Sequence, residues 1–160
     1  MKYLGGKNKL GKEISEVLKK YAPPDRTKGY IEPFCGSLGV SIHMVDDYKV
    51  SVSDYHKDLI LLWKEIKAGT FKFPRHVSKK FWLKYKNEKP SAMRAFVGFG
   101  CSYNGIWFQG YINDYNCNNK RDYKQECVDS IKKKSNKIKK IKSIKYCSYE
   151  KWDKPNLKGY

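Results

Sequence analysis

Thirty-four lysines and arginines against sixteen aspartates and glutamates leave this 160-residue chain with a formal charge of +18 at pH 7, an excess that seeks a polyanion and puts nucleic acid ahead of an anionic membrane surface. At 40% hydrophobic and 15% aromatic residues the chain supports one core of ordinary domain size and excludes two large ones. No apolar run approaches the roughly 20 residues that span a bilayer, and Met1-Lys2-Tyr3 begins no signal-peptide pattern, so the chain reads as soluble and intracellular.

In chain order, Tyr3-Leu4-Gly5-Gly6-Lys7 opens with a Gly-Gly turn. Leu10, Ile14, Val17, Leu18 and Tyr21 then share one helical face, until Pro23-Pro24 ends the helix. Gly29 to Glu32 is a short extended run into the turn Phe34-Cys35-Gly36-Ser37, and Leu38 to Val45 has the length and composition of a short helix. Lys49 to Ser53 alternates as a strand finishing at Asp54, and Leu59, Leu62, Trp63 and Ile66 mark another amphipathic helix. This beginning is that of a parallel, doubly wound α/β sheet.

From about Gly69 to Asn119 aromatic residues, Phe71 through Tyr115, are interleaved with Lys and Arg, which predicts an inserted, mostly helical region with an aromatic-rich loop. Val128, Ile131, Ile138 and Ile141 return at helical spacing within a lysine run, so one face is core and the other strongly basic. Ser143 to Tyr149 reads as a further strand, and Lys158-Gly159-Tyr160 as the start of another. Cys35, Cys101, Cys117, Cys127 and Cys147 form no C-x-x-C pair and three isolated histidines have no metal-site spacing, so reduced thiols and no metal are expected.

A strand that delivers Gly36 and Gly39 into a helix start lets a ligand approach the backbone. Asp54, eighteen positions after Gly36, is near the distance at which a carboxylate receives the ribose hydroxyls of an adenosine cofactor. Taken alone, the glycines read better as a tight strand-to-helix turn, and Asp54 brings the two readings level. Neither G-x-G-x-x-G nor G-K-[ST] is present, so the dinucleotide and nucleoside triphosphate fingerprints are unmet. S-adenosylmethionine is the adenosine cofactor that remains.

Tyr3-Leu4-Gly5-Gly6-Lys7, Glu32-Pro33-Phe34-Cys35-Gly36, Ser53-Asp54-Tyr55 and Tyr103-Asn104-Gly105 stand in this order, and in that order the chain resembles the Dam-like, D12-class DNA adenine N6-methyltransferases over nearly its whole length. The resemblance implies a Rossmann-like S-adenosylmethionine-dependent core with an incomplete sheet. Residues 1–68 would bind the cofactor, 69–119 would form the target-recognition insertion, and 120–160 would return to the core. It implies that Tyr3, Lys7, Glu32, Phe34, Gly36 and Asp54 hold S-adenosylmethionine, with Lys7 near the methionine carboxylate and Asp54 on the ribose. Double-stranded DNA is the implied partner, in a bacterial or viral restriction-modification setting.

Two departures bear on activity. The second glycine of the family's turn falls where this chain has Leu38, with Gly39 one step later. The family's Asp-Pro-Pro-Tyr, whose acid and proline carbonyl hold the adenine amino group while the aromatic ring stacks on the flipped base, occurs nowhere in the sequence; its one Pro-Pro is in Ala22-Pro23-Pro24-Asp25. The expectation is therefore an amino-terminal part, inactive alone, that needs a second polypeptide or downstream segment with the catalytic motif. A non-enzymatic DNA-binding remnant and an RNA-binding or RNA-modifying protein are the alternatives. For DNA contact, Tyr103, Asn104 and Trp107 in the glycine-rich loop suit base extrusion, and Lys132, Lys133 and Lys137 suit phosphates. Phe108 stands where familiar family members read guanine with an arginine, so the recognition sequence does not transfer.

Overall fold

A computed structural model describes residues 1–27, 29–112 and 122–151. Tyr115, Cys117, the boundary at Asn119 and the strand start expected at Lys158 to Tyr160 lie outside these residues.

Three parallel strands form the sheet: β1 (Gly29–Glu32), β2 (Lys49–Asp54) and β3 (Ser143–Tyr146), in the order β1-β2-β3. Tyr30 pairs with Val50, and Val52 with Ile144. Val50, Ser51, Val52 and Ser53 are buried in succession, the run expected of a central parallel strand covered on both faces. The α/β expectation is met to this extent, and the sheet is consistent with part of a Rossmann-like core.

The helices follow the sequence patterns. α2 (Lys57–Ala68) buries Leu59, Leu62, Trp63 and Ile66 and closes at Gly69 with φ 73°, the left-handed C-terminal cap that glycine favours. α3 (Lys79–Lys86) and α4 (Ala92–Gly100) begin at Ser78 and Ser91, whose hydroxyls each accept an amide hydrogen bond at 3.1 Å, from Phe81 and Arg94. α4 packs against α2, and Phe96, Ile131 and Trp63 belong to one continuous core. α5 (Tyr123–Lys140) buries Val128, Ile131 and Ile138 beneath its lysines.

Two expectations are corrected. α1 (Gly11–Tyr21) forms where predicted, but Gly11 and Ser15 are buried while Leu10, Val17, Leu18 and Tyr21 face solvent. Backbone approach decides this: a Cβ on Gly11 would stand 1.9 Å from the Gly39 carbonyl oxygen. The smallest side chains therefore make the contact, and the bulky ones turn outward. The helix expected over Leu38 to Val45 shrinks to a 3-10 turn at Ser41–His43. Leu38 lies at φ 59°, which interrupts a right-handed helix. Glu32 then accepts hydrogen bonds from the Ser41 amide (3.1 Å) and hydroxyl. No open helix N-terminus faces a ligand here.

Candidate functional site

The four motifs spread across the sequence meet at the C-terminal ends of β1 and β2. Gly36, at φ 45°, follows β1, and a Cβ there would lie 3.0 Å from the Tyr3 ring. Both the left-handed backbone and the overlying ring thus require glycine. The Gly36 amide donates to Asp54 Oδ2 at 2.8 Å, and its carbonyl accepts from the buried Trp63 Nε1 at 2.9 Å. Asp54 Oδ1 accepts from the His56 amide at 2.9 Å. The Tyr103-Asn104-Gly105 segment joins from the other side, where the Leu4 amide donates to the Gly105 carbonyl at 3.3 Å.

Of the residues expected at a cofactor, Tyr3, Gly36 and Asp54 therefore stand together. Lys7 is exposed and its Nζ donates to the Gly5 carbonyl at 2.8 Å. Glu32 is committed to Ser41; burial raises its carboxyl above the usual range, against the lowering effect of those hydrogen bonds. Burial, then the Asp54 charge, pushes the Tyr3 hydroxyl up to about 12, so it remains a neutral donor. Burial, reinforced by Asp54, also raises the Cys35 thiol, which leaves no thiolate nucleophile at the turn.

Phe34 is exposed, with its ring 5.2 Å from that of Tyr149. Tyr55, immediately after Asp54, stacks on Tyr146 at 5.7 Å and 23°. These exposed rings follow the ends of all three strands, where ligands of open parallel sheets bind. Tyr55, Tyr146 and Tyr149 were not singled out from the sequence as candidates, although the position of each at or just after a strand end was a signal in it.

The residues expected at DNA separate into two kinds. Tyr103 and Asn104 are exposed, Asn104 at φ 52°. Trp107 is half-buried, 4.7 Å from Phe99 and 4.3 Å from the His56 ring, with the Arg94 guanidinium 5.0 Å from its centre. It packs under the loop. On α5, Lys132 lies over the Phe73 ring at 5.9 Å, Lys137 pairs with Asp46 at 3.4 Å, and Lys133 is exposed. A hollow of about 990 Å³ adjoins Tyr3, Lys7, Asn8, Asn104 and Lys134, while Phe34 and Asp54 sit outside it. Among the described residues no cluster of His, Cys, Asp or Glu is arranged to hold a metal, and no helix is long and apolar enough to cross a membrane.

Comparison with known proteins gives two matches. Residues 3–150 fit the family model described as D12 class N6 adenine-specific DNA methyltransferase. A curated relative, Type II methyltransferase M.MjaIII of Methanocaldococcus jannaschii, is 37% identical over 70 residues, which is 42% of this chain and 24% of that protein. The chain thus matches about a quarter of the length of that relative.

Proposed function

Because the chain belongs to the D12 class of N6 adenine-specific DNA methyltransferases, we propose that it binds S-adenosylmethionine and duplex DNA as the donor-holding and DNA-holding part of a site-specific adenine N6-methyltransferase. The observation that carries the proposal is the joining of Tyr3, Gly36 and Asp54 at the ends of β1 and β2.

The residues present fit the donor that the family implies. Each Asp54 oxygen accepts one amide and keeps a second lone pair for a ribose hydroxyl. The bare Cα of Gly36 lets the Tyr3 ring close directly over the turn. Phe34 with Tyr149, and Tyr55 with Tyr146, offer apolar rings to an adenine. Lys7 is a point charge for the methionine carboxylate, and Glu32 holds the turn through Ser41. When bound, S-adenosylmethionine supplies the sulfonium methyl group for direct transfer to the adenine amino nitrogen. Tyr103, Asn104 and the α5 residues Lys132, Lys133 and Lys137 then serve DNA, with Trp107 supporting the loop from beneath. In this reading residues 1–68 hold the donor, 69–119 select the target and 120–160 return to the core.

The sequence contains no Asp-Pro-Pro-Tyr, so we place the acceptor for the adenine amino group on a second polypeptide or a further segment. The same absence favours a second reading, a DNA-binding protein without enzymatic activity. Tritiated methyl transfer from S-adenosylmethionine to adenine in duplex DNA separates the two. The expected result is no transfer by these 160 residues and transfer when a polypeptide carrying Asp-Pro-Pro-Tyr is added. Robust transfer by the chain alone would refute the placement. Donor binding by calorimetry without transfer in any mixture would favour the binding protein.

A further inference from the structure

Lys134 differs from Lys132, Lys133, Lys137, Lys139 and Lys140 of α5. Its Nζ turns inward and donates to the Ser37 carbonyl at 3.1 Å and to Asn8 Oδ1. Asn8 Nδ2 donates in turn to Ser37 Oγ at 2.9 Å. An ammonium, a carboxamide and a hydroxyl thereby join three segments distant in sequence: α5, the Gly5 to Asn8 turn and the Cys35 to Ser37 turn. The two turns are in close contact here, since a Cβ on Gly6 would lie 2.8 Å from Ser37 Oγ.

Withdrawing an ammonium from water is costly unless acceptors replace the solvent, and here they come from the two turns expected at the donor. Glycine-rich segments have many alternative conformations. A ligand that binds between them pays for ordering them unless something has already done so. We propose that Lys134 is a positioning residue for the methyl donor: from α5 it fixes the Gly5 to Asn8 turn against the Cys35 to Ser37 turn, and so preforms the donor site without touching the donor. The inference rests on the donor-binding reading above.

The charge of the clamp gives it a signature. Burial holds the Lys134 ammonium down at about 8. The charged and titratable groups lining the hollows it borders are His43 on the 3-10 turn, the Met1 amino group, Lys2, Tyr3, Lys7 and Lys9 on the first segment, and Tyr123, Glu126, Cys127, Asp129, Lys133 and Lys137 on α5. Burial lowers both His43, which Lys137 and Lys134 depress further, and the Met1 amine, the latter to about 6. Both are neutral above pH 7. A lysine with a lowered folded value is charged below that value and loses its charge as pH rises through it, so the charge-assisted clamp is present at pH 7 and reduced to neutral amine hydrogen bonds by pH ~9.5.

The test combines amide hydrogen exchange on the unliganded chain with calorimetry of S-adenosylmethionine. Lys134→Met should quicken exchange at residues 5–8 and 36–38 and weaken donor binding roughly tenfold at pH 7, the scale of one charged hydrogen bond. Wild type should approach this variant by pH ~9.5, while Lys134→Arg, which keeps its charge, should hold its affinity. The donor's own amino group titrates alike in all three and cancels from their ratios. Unchanged exchange, or a ratio of wild type to Lys134→Met that does not vary with pH, overturns the proposal. If Lys134→Met does not fold, the pH dependence of wild type against Lys134→Arg decides. Quickened exchange with no donor binding by wild type would instead overturn the donor reading and leave Lys134 as a brace of the fold.

Discussion

The amide of Gly36 and the carboxylate of Asp54 meet at 2.8 Å, so the residue that ends β2 closes the turn that follows β1. Asp54→Asn keeps an oxygen for one of the two amides that Asp54 accepts, turns an NH2 toward the other and removes the charge. Donor affinity measured by calorimetry should fall by roughly 1.5 to 3 kcal/mol, with the fold retained and the melting temperature lowered by the lost amide bond. Unchanged affinity would remove Asp54 from the donor site.

Arg94 ties together α2, α3 and α4 beneath the aromatic loop. Its Nη1 lies 3.2 Å from Asp58 Oδ2, Nε donates to the Tyr85 carbonyl at 3.0 Å and Nη2 to the Lys86 carbonyl at 3.2 Å. Asp58 is buried, so Arg94→Met strands its charge and should cost about 3 kcal/mol. Arg94→Lys should recover less than half of this, because an ammonium cannot reproduce the planar fork. Urea unfolding measures both, and full stability in Arg94→Lys would show that charge alone suffices.

Leu38 is buried and sits at φ 59°, so two costs oppose one another. Truncation to alanine loses packing and keeps the left-handed strain. Truncation to glycine loses the same packing and relieves roughly 1 kcal/mol of strain. Both variants should be less stable than wild type by about 2 kcal/mol or more. Leu38→Gly should nevertheless exceed Leu38→Ala by about 1 kcal/mol, the reverse of the usual order. The usual order in a denaturant titration would contradict the left-handed backbone.

Asp46 occupies two of the α5 lysines, with Oδ1 2.6 Å from Lys140 Nζ and Oδ2 3.4 Å from Lys137 Nζ. Asp46→Ala should free both for phosphate and steepen the log-log salt dependence of DNA binding by up to about 2. Joint replacement of Lys132, Lys133 and Lys139 by alanine should flatten it by about 3. Fluorescence anisotropy from about 50 to 200 mM salt reads both slopes. Slopes that do not change would make these lysines a solvated face.

Where local pattern and tertiary burial agree, the fold was legible. Alternation over Lys49 to Asp54, and helical spacing of Leu59, Leu62, Trp63 and Ile66, predicted β2 and α2, and the same holds for Val128, Ile131 and Ile138 in α5. Periodicity also located α1, but its orientation depended on contact between Gly11 and Gly39, two residues without side chains to carry a pattern. The helix expected after Gly36 depended on the backbone of Leu38 and the reach of Glu32 to Ser41, neither of which is local. An incomplete sheet was expected, with a strand at Ser143 to Tyr149, and β3 there pairs with β2 alone among the described residues. Among the described residues β1 is an edge as well, because β2 pairs with both other strands. Within the candidate site the glycines and Asp54 stood out by spacing. Lys134 did not, since nothing in a lysine run distinguishes the one that turns inward.

Tyr21 at 80% and Val17 at 55% exposure put an oily stripe of α1 in water on a molecule of formal charge +18. Two copies meeting through that stripe gain roughly 25 cal/mol for each Å² of apolar surface covered, against a repulsion that extends roughly 10 Å at 0.1 M salt and roughly 3 Å at 1 M. Salt therefore acts on this chain in two opposed ways: it strips the protein from DNA, and it removes the barrier that keeps the molecules apart. A solution that is clear and monodisperse in dilute buffer should begin to scatter light near 1 M salt, and Val17→Lys should delay that onset. A gradient used to elute the protein from a polyanion would then deliver it into the conditions under which it coalesces.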